Sequence, residues 1–211
     1  MIGEAQQKIL PRSEKAFQFF SRLDFRELTG RKARNIKDLL AHIKEVPGSV
    51  IYHHTHHFLQ QHQYLNPEPP NDFAYWVREI LGLDSLGEQL ASINAHEFKT
   101  IAEIRRTFID ILERYLKKKP RIRLAAEGEE FYFVKSVSFI FPTPYRAQDL
   151  GEFVEGLRRI TIDGLYFHMF ESKLRLERGA NDFSFWLETA LGENKLAAQI
   201  AKLDPYTHTM E

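Results

Sequence analysis

"NDFAYWVREILGLDSLGEQLASI", residues 71–93, returns 110 residues later as "NDFSFWLETALGENKLAAQIAKL", residues 181–203. Asn71, Asp72, Phe73, Trp76, Leu81, Gly82, Leu86, Gln89 and Ala91 recur as Asn181, Asp182, Phe183, Trp186, Leu191, Gly192, Leu196, Gln199 and Ala201. Upstream the offset is 114, unbroken from Phe19 and Phe133 to His57 and Glu171. There Phe25 meets Phe139, Thr29 meets Thr143, Tyr52 meets Tyr166 and His54 meets His168. The four-residue difference falls in "YLNPEPP" (64–70), a turn-rich loop of the kind that tolerates insertion. Order and spacing survive too well for chance, so the chain reads as a duplication.

Each copy has the same local grammar. A short extended segment opens it, clearest in "EFYFVKSVSFIF" (130–141) and weaker in "FQFFSRLDFREL" (17–28), with apolar residues largely at alternate positions. A turn is expected at Thr29-Gly30 and at Thr143-Pro144. A helix follows from the N-cap Asn35 or Asp149, the latter with Glu152 at capping-box spacing. The second helix carries the histidines. The third is expected to start on Asp72 or Asp182 as N-cap, burying Phe73, Trp76 and Val77 or Phe183, Trp186 and Leu187. A fourth lies near 86–93 and 196–203, and the first copy adds a long helix over Thr100–Lys118.

The expected fold is mainly α with a small β element: an internally duplicated helical domain with pseudo-two-fold symmetry. Residues 1–211 form one integrated domain, with repeat 1 at 15–119 and repeat 2 at 128–211, the latter without its last helix. An apolar groove beside 194–203 is expected as a contact surface.

Lys+Arg and Asp+Glu both number 29, so no overall field draws the chain to nucleic acid or an anionic membrane. The basic run Lys117, Lys118, Lys119, Arg121 and Arg123 meets Glu127, Glu129 and Glu130 at once and has no interleaved aromatic platform. No nucleic-acid or membrane partner is therefore expected. There is no cysteine, which excludes disulfides and thiolate metal sites and fits a cytoplasmic protein. The opening "MIGEAQQKILPRSEKAF" is too polar for a signal peptide, and no apolar run approaches a membrane span.

With "IYHHTHHF" and "PEPPNDFAYW" in one copy and "LYFHMF" and "NDFSFWL" in the other, the chain resembles a bacterial and archaeal family catalogued as a domain of unknown function. The resemblance covers nearly the whole chain, with the paired Tyr-x-His and Asn-Asp-Phe-x-x-Trp motifs as its most specific part. It implies one integrated helical domain and supplies no catalytic residues.

"IYHHTHHFLQQHQY" (51–64) holds five of the nine histidines, and the duplication sorts them. His53 and His56 become Phe167 and Phe170, and on a helical wheel they point away from the apolar face; His62 has Leu176 as its nearest counterpart. His54 sits on the apolar face and recurs as His168, followed three residues later by His57 or Glu171. One reading is a buried polar network of His54, His168, Tyr52 and Tyr166, with the two histidines facing one another near the pseudo-axis. The other is a metal site of His54, His57, His168 and Glu171, suited to zinc or iron. No phosphate loop, nucleophile elbow or His-Glu-x-x-His pair is present. The sequence thus points to a non-enzymatic module that binds a small molecule or a protein. A metal-dependent enzyme, most plausibly a hydrolase, is the alternative.

Overall fold

The computed structural model describes residues 12–57, 71–172 and 180–203. The loop at 64–70, His62, Leu176, the side chains of His57 and Phe170, and residues 204–211 lie outside them.

Two strands, β1 (Phe17–Ala33) and β2 (Phe131–Ala147), each of 17 residues, pair in a two-stranded antiparallel sheet. The chain is 55% helical, so the fold is mixed α/β with a sizeable sheet. The expectation of a mainly α, pseudo-two-fold helical domain with a small β element is corrected on this point. Both strands run through the supposed turns. Thr29 and Thr143 do make the local hydrogen bond of such a turn, each hydroxyl accepting the N–H two residues on, from Arg31 at 3.2 Å and Tyr145 at 3.3 Å. Yet the same hydroxyls donate across to the Phe133 and Phe19 carbonyls at 2.8 Å, and the strands continue. Pro142 and Pro144 are tolerated because a strand with one neighbour needs only half its N–H groups.

After β1 come α1 (Ile36–Glu45), α2 (Gly48–Tyr52), α3 (Asp72–Tyr75), α4 (Asp84–Ala91) and α5 (Ile101–Lys117). After β2 come α6 (Leu150–Arg159), α7 (Ile162–Tyr166), α8 (Asp182–Leu191) and α9 (Asn194–Ala201). The side chains of Asn35 and Asp149 cap α1 and α6, and Thr100 with Glu103 closes a full capping box on α5. Strands and helices of the second copy begin and end at the offsets read from the sequence, 114 up to α7 and 110 for α9 against α4.

The chain divides into two compact units, neither contiguous in sequence. The first joins the residues up to Leu23 to Ile140–Leu203; the described part of the second is Asp24–Phe139. Both strands therefore pass from one unit into the other, and each unit sets the opening of one copy's strand against the helices of the other copy. In the second unit Leu39, Ile43, Phe73, Leu90, Phe108 and Phe133 form the core. In the first, Phe19, Phe153, Phe167, Phe183 and Leu187 are buried. Leu86 and Leu90 of α4 are buried, in the unit where α5 supplies a further apolar face; their counterparts on α9, Leu196 and Ile200, are half-buried. Among the described residues no helix is long and apolar enough to cross a membrane.

Gly156 marks the closest approach of helix to strand in the first unit. A Cβ there would lie 2.2 Å from the ring of Phe19, which is fully buried and has no room to withdraw. His42 holds the equivalent place in the other copy, edge-on to Phe133 at 5.2 Å between ring centres. Gly156→Ala is expected to destabilise by about 1–3 kcal/mol through overpacking, read as a lower urea midpoint with an unchanged slope.

Candidate functional site

The histidine helices change pitch where the histidines begin. α2 continues as a π-helical turn at His53–His57 and α7 as one at Phe167–Glu171. Such turns widen the helix and re-aim its side chains, and they are frequent at functional positions. His54 and His168 occupy the second place of each turn. Their surroundings are the same, bond for bond.

In the second unit His54 Nδ1 lies 2.7 Å from Asp72 Oδ2, and the Val134 N–H of β2 donates to Nε2 at 3.0 Å. In the first, His168 Nδ1 lies 2.8 Å from Asp182 Oδ2, and the Phe20 N–H of β1 donates to Nε2 at 2.8 Å. A backbone amide can only donate, so each Nε2 must present its lone pair. The neutral ring then carries its proton on Nδ1, aimed at the carboxylate. The backbone has chosen the tautomer.

The rest of the Asn-Asp-Phe-x-x-Trp motif falls into place around this clasp. The expected N-caps, Asp72 and Asp182, are corrected: Asn71 and Asn181, one residue earlier, cap α3 and α8. Each Asn Oδ1 accepts an amide at 2.8 Å, from Ala74 or Ser184. Each Nδ2 donates to the end of the next helix, at Leu90 O (3.0 Å) or Ile200 O (3.2 Å). An aspartate could not make the second bond, because an ionised carboxylate has no donor. With Asn as cap, Asp is free to receive the histidine. The indoles finish the set: Trp76 donates to Glu129 O at 2.7 Å and Trp186 to Lys15 O at 2.8 Å, both just ahead of a strand.

His54 and His168 are buried, and each is bonded within its own unit. Tyr52 stacks on His56 at 4.9 Å, whereas Tyr166 lies buried under the guanidinium of Arg22 at 4.9 Å. Glu171 pairs with Arg22 at 2.5 Å, and the arginine side chain is wholly buried. His53 and His56 are also buried, against the expectation that they point away from the core. The π turn accounts for this, since a wheel drawn at 100° per residue fails where the helix widens. His53 Nδ1 meets Ser136 Oγ at 2.8 Å and His56 Nδ1 meets Thr55 Oγ1 at 2.8 Å.

One described trio could bring ligand atoms together for a metal: His53, His54 and Asp72, within 4.8 Å of one another. The clasp opposes it. With Val134 N–H on Nε2, a metal at Nδ1 would turn His54 into an imidazolate or require the strand bond to break.

The first unit also holds an open cavity of about 600 Å³ beside the His168 clasp. Phe17, Phe20, Phe185 and Trp186 line it, with Lys15 and Thr189 among its polar residues. At matched sequence positions Ala16, Thr189 and Ala190 replace Glu130, Glu79 and Ile80, the last two of which lie in a π-helical turn at Trp76–Ile80. The sequence contains this signal as a loss of bulk at matched positions, but only the fold gathers strand opening and α8 into one wall.

A family model for a family of unknown function, DUF5752, matches residues 14–211. The chain belongs to that family. Its fold is similar to a solved structure described as OrfY from Thermoproteus tenax, with a TM-score of 0.79 and 30% identity, covering 94% of this chain and 90% of that one. No curated protein matches it. The match spans both units of this DUF5752 chain and every residue of the two clasps.

Three outcomes follow from these bonds. Asp182→Ala should cost about 1–3 kcal/mol by leaving the His168 N–H without its acceptor, while Asp182→Asn, whose oxygen still accepts, should cost less. Long-range 1H–15N spectra should show both rings protonated on Nδ1. Glu171→Ala should cost about 3 kcal/mol, because it takes a carboxylate away from the buried Arg22 charge; equilibrium urea denaturation reads it.

Proposed function

We propose that the chain is a non-enzymatic, cytoplasmic ligand-binding module whose small-molecule ligand occupies the cavity beside β1 and α8. The cavity itself carries the reading. Its volume of about 600 Å³ falls in the range of small-molecule sites, and its aromatic walls with a few polar groups match their usual make-up. The duplicated histidines, by contrast, have both ring nitrogens engaged in holding strand to helix, which leaves them no lone pair for chemistry.

The second reading is a metal-dependent enzyme, and it draws on the His53, His54 and Asp72 grouping. His54, His57, His168 and Glu171 as a joint ligand set has less support, since Glu171 already pairs with Arg22. One experiment addresses both readings. A thermal-shift screen of small molecules is run on the natural chain and on Thr189→Glu/Ala190→Ile, which gives the cavity wall the side chains of the other copy. Ligands are expected to raise the melting temperature of the first and not the second. Equal responses would remove the cavity reading. Added zinc or iron should leave the melting temperature unchanged; a stoichiometric metal lost to chelator, with a fall in melting temperature, would favour the enzyme.

A further inference from the structure

The cavity differs from the matching part of the other copy in its charged residues as well as in its bulk. At its edge the exposed side chain of Lys15 makes no hydrogen bond or ion pair among the described residues. The lysine is held in place through its backbone, its carbonyl accepting the Trp186 indole at 2.8 Å and its amide donating to Ser13 Oγ at 3.0 Å. In the other copy the same indole bond is received by Glu129. Beside Glu129, Glu130 stands where Ala16 does. It is buried and bonded to Lys32 at 3.1 Å. Backbone N–H donation and that lysine hold its carboxyl down at about 2, so a negative charge is fixed there. Glu79 adds a third carboxylate at the position of Thr189. Three acidic positions in one copy are thus a lysine, an alanine and a threonine in the other.

We infer that the cavity takes a small anion with a flat apolar body, its charged group held by the Lys15 ammonium and its body laid among Phe17, Phe20, Phe185 and Trp186. This rests on the cavity's being a ligand site. Two centres set the orientation. Asp182 also lines the cavity, but its Oδ2 is engaged by His168 and its side chain is only 16% exposed. It repels an anion from the clasp end and leaves the lysine end for the charged group. The aromatic rings supply the apolar contact; Phe17 and Trp186 stand 5.6 Å apart between ring centres. A carboxylate on an aromatic ring system is the simplest chemistry that satisfies lysine, rings and aspartate together.

Calorimetric titration of the full chain with indole-3-acetate, indole-3-acetamide and tryptamine tests it, since the three share a body and differ in charge. The acetate is expected to bind about fivefold more tightly than the amide, the most an exposed ion pair ordinarily contributes, and tryptamine more weakly than either. Lys15→Glu, which gives this copy the other's residue and keeps the backbone carbonyl that Trp186 uses, should invert the order. An inverted preference cannot arise from misfolding. Equal binding of all three probes, or an unchanged order in Lys15→Glu, overturns the anion inference and leaves the cavity reading standing. Failure of all three to bind overturns both.

Discussion

A strand amide donating to a histidine ring is the bond on which the rest of the structure depends. Phe20 N–H on His168 and Val134 N–H on His54 tie the opening of each strand to a helix of the opposite copy. Through the ring the bond reaches an aspartate at the first turn of α8 or α3, so one imidazole joins three elements. The Asn cap, the indole bond and the π turn all serve it. Asn frees the aspartate, Trp fastens the residue before the strand, and the widened helix turns the ring inward. Both ring nitrogens of His54 and His168, both side-chain polar atoms of each Asn cap and each indole N–H have a partner, as burial requires.

Because the clasps cross from copy to copy, the two sequence repeats are not the two compact units. Each unit borrows its strand opening from the other copy. This makes the packing of each unit sensitive to residues far away in sequence. Gly156 of α6 is shaped by Phe19, and Arg22 is neutralised by Glu171, 149 residues on. The second unit solves the same places differently: His42 faces Phe133, and Ser136 meets His53.

That divergence is also where the two copies differ in bulk and in charged residues. The clasps are alike in both copies and hold the fold, so they do not distinguish one unit from the other. Residues around the first unit's clasp do. Smaller side chains at Ala16, Thr189 and Ala190 line the cavity, and Lys15 is among its lining residues. Of the conspicuous histidine run, His53, His54 and His56 are buried and hydrogen-bonded, while unremarkable alanines and a threonine accompany the cavity.

The sequence by itself determined the matched offsets of the elements, the order of the helices, the capping of α1, α5 and α6, and the burial of His54 and His168. Those features are written in local spacing: a cap is two or three residues from its amide, and a helical stripe repeats within one turn. Strand length escaped it, because Thr29-Gly30 and Thr143-Pro144 are true local turn signals that cross-strand hydrogen bonds override. The N-caps were misread by one residue for a related reason. Asn and Asp cap equally well, and only the distant Leu90 and Ile200 carbonyls, which need a donor, decide between them. Tertiary structure alone decided the exchange of strands, the tautomer of each clasp, the pairing of Glu171 with Arg22, and the cavity. Each depends on groups more than a dozen residues apart meeting in space, and no periodicity in a single segment records which partner a side chain will find.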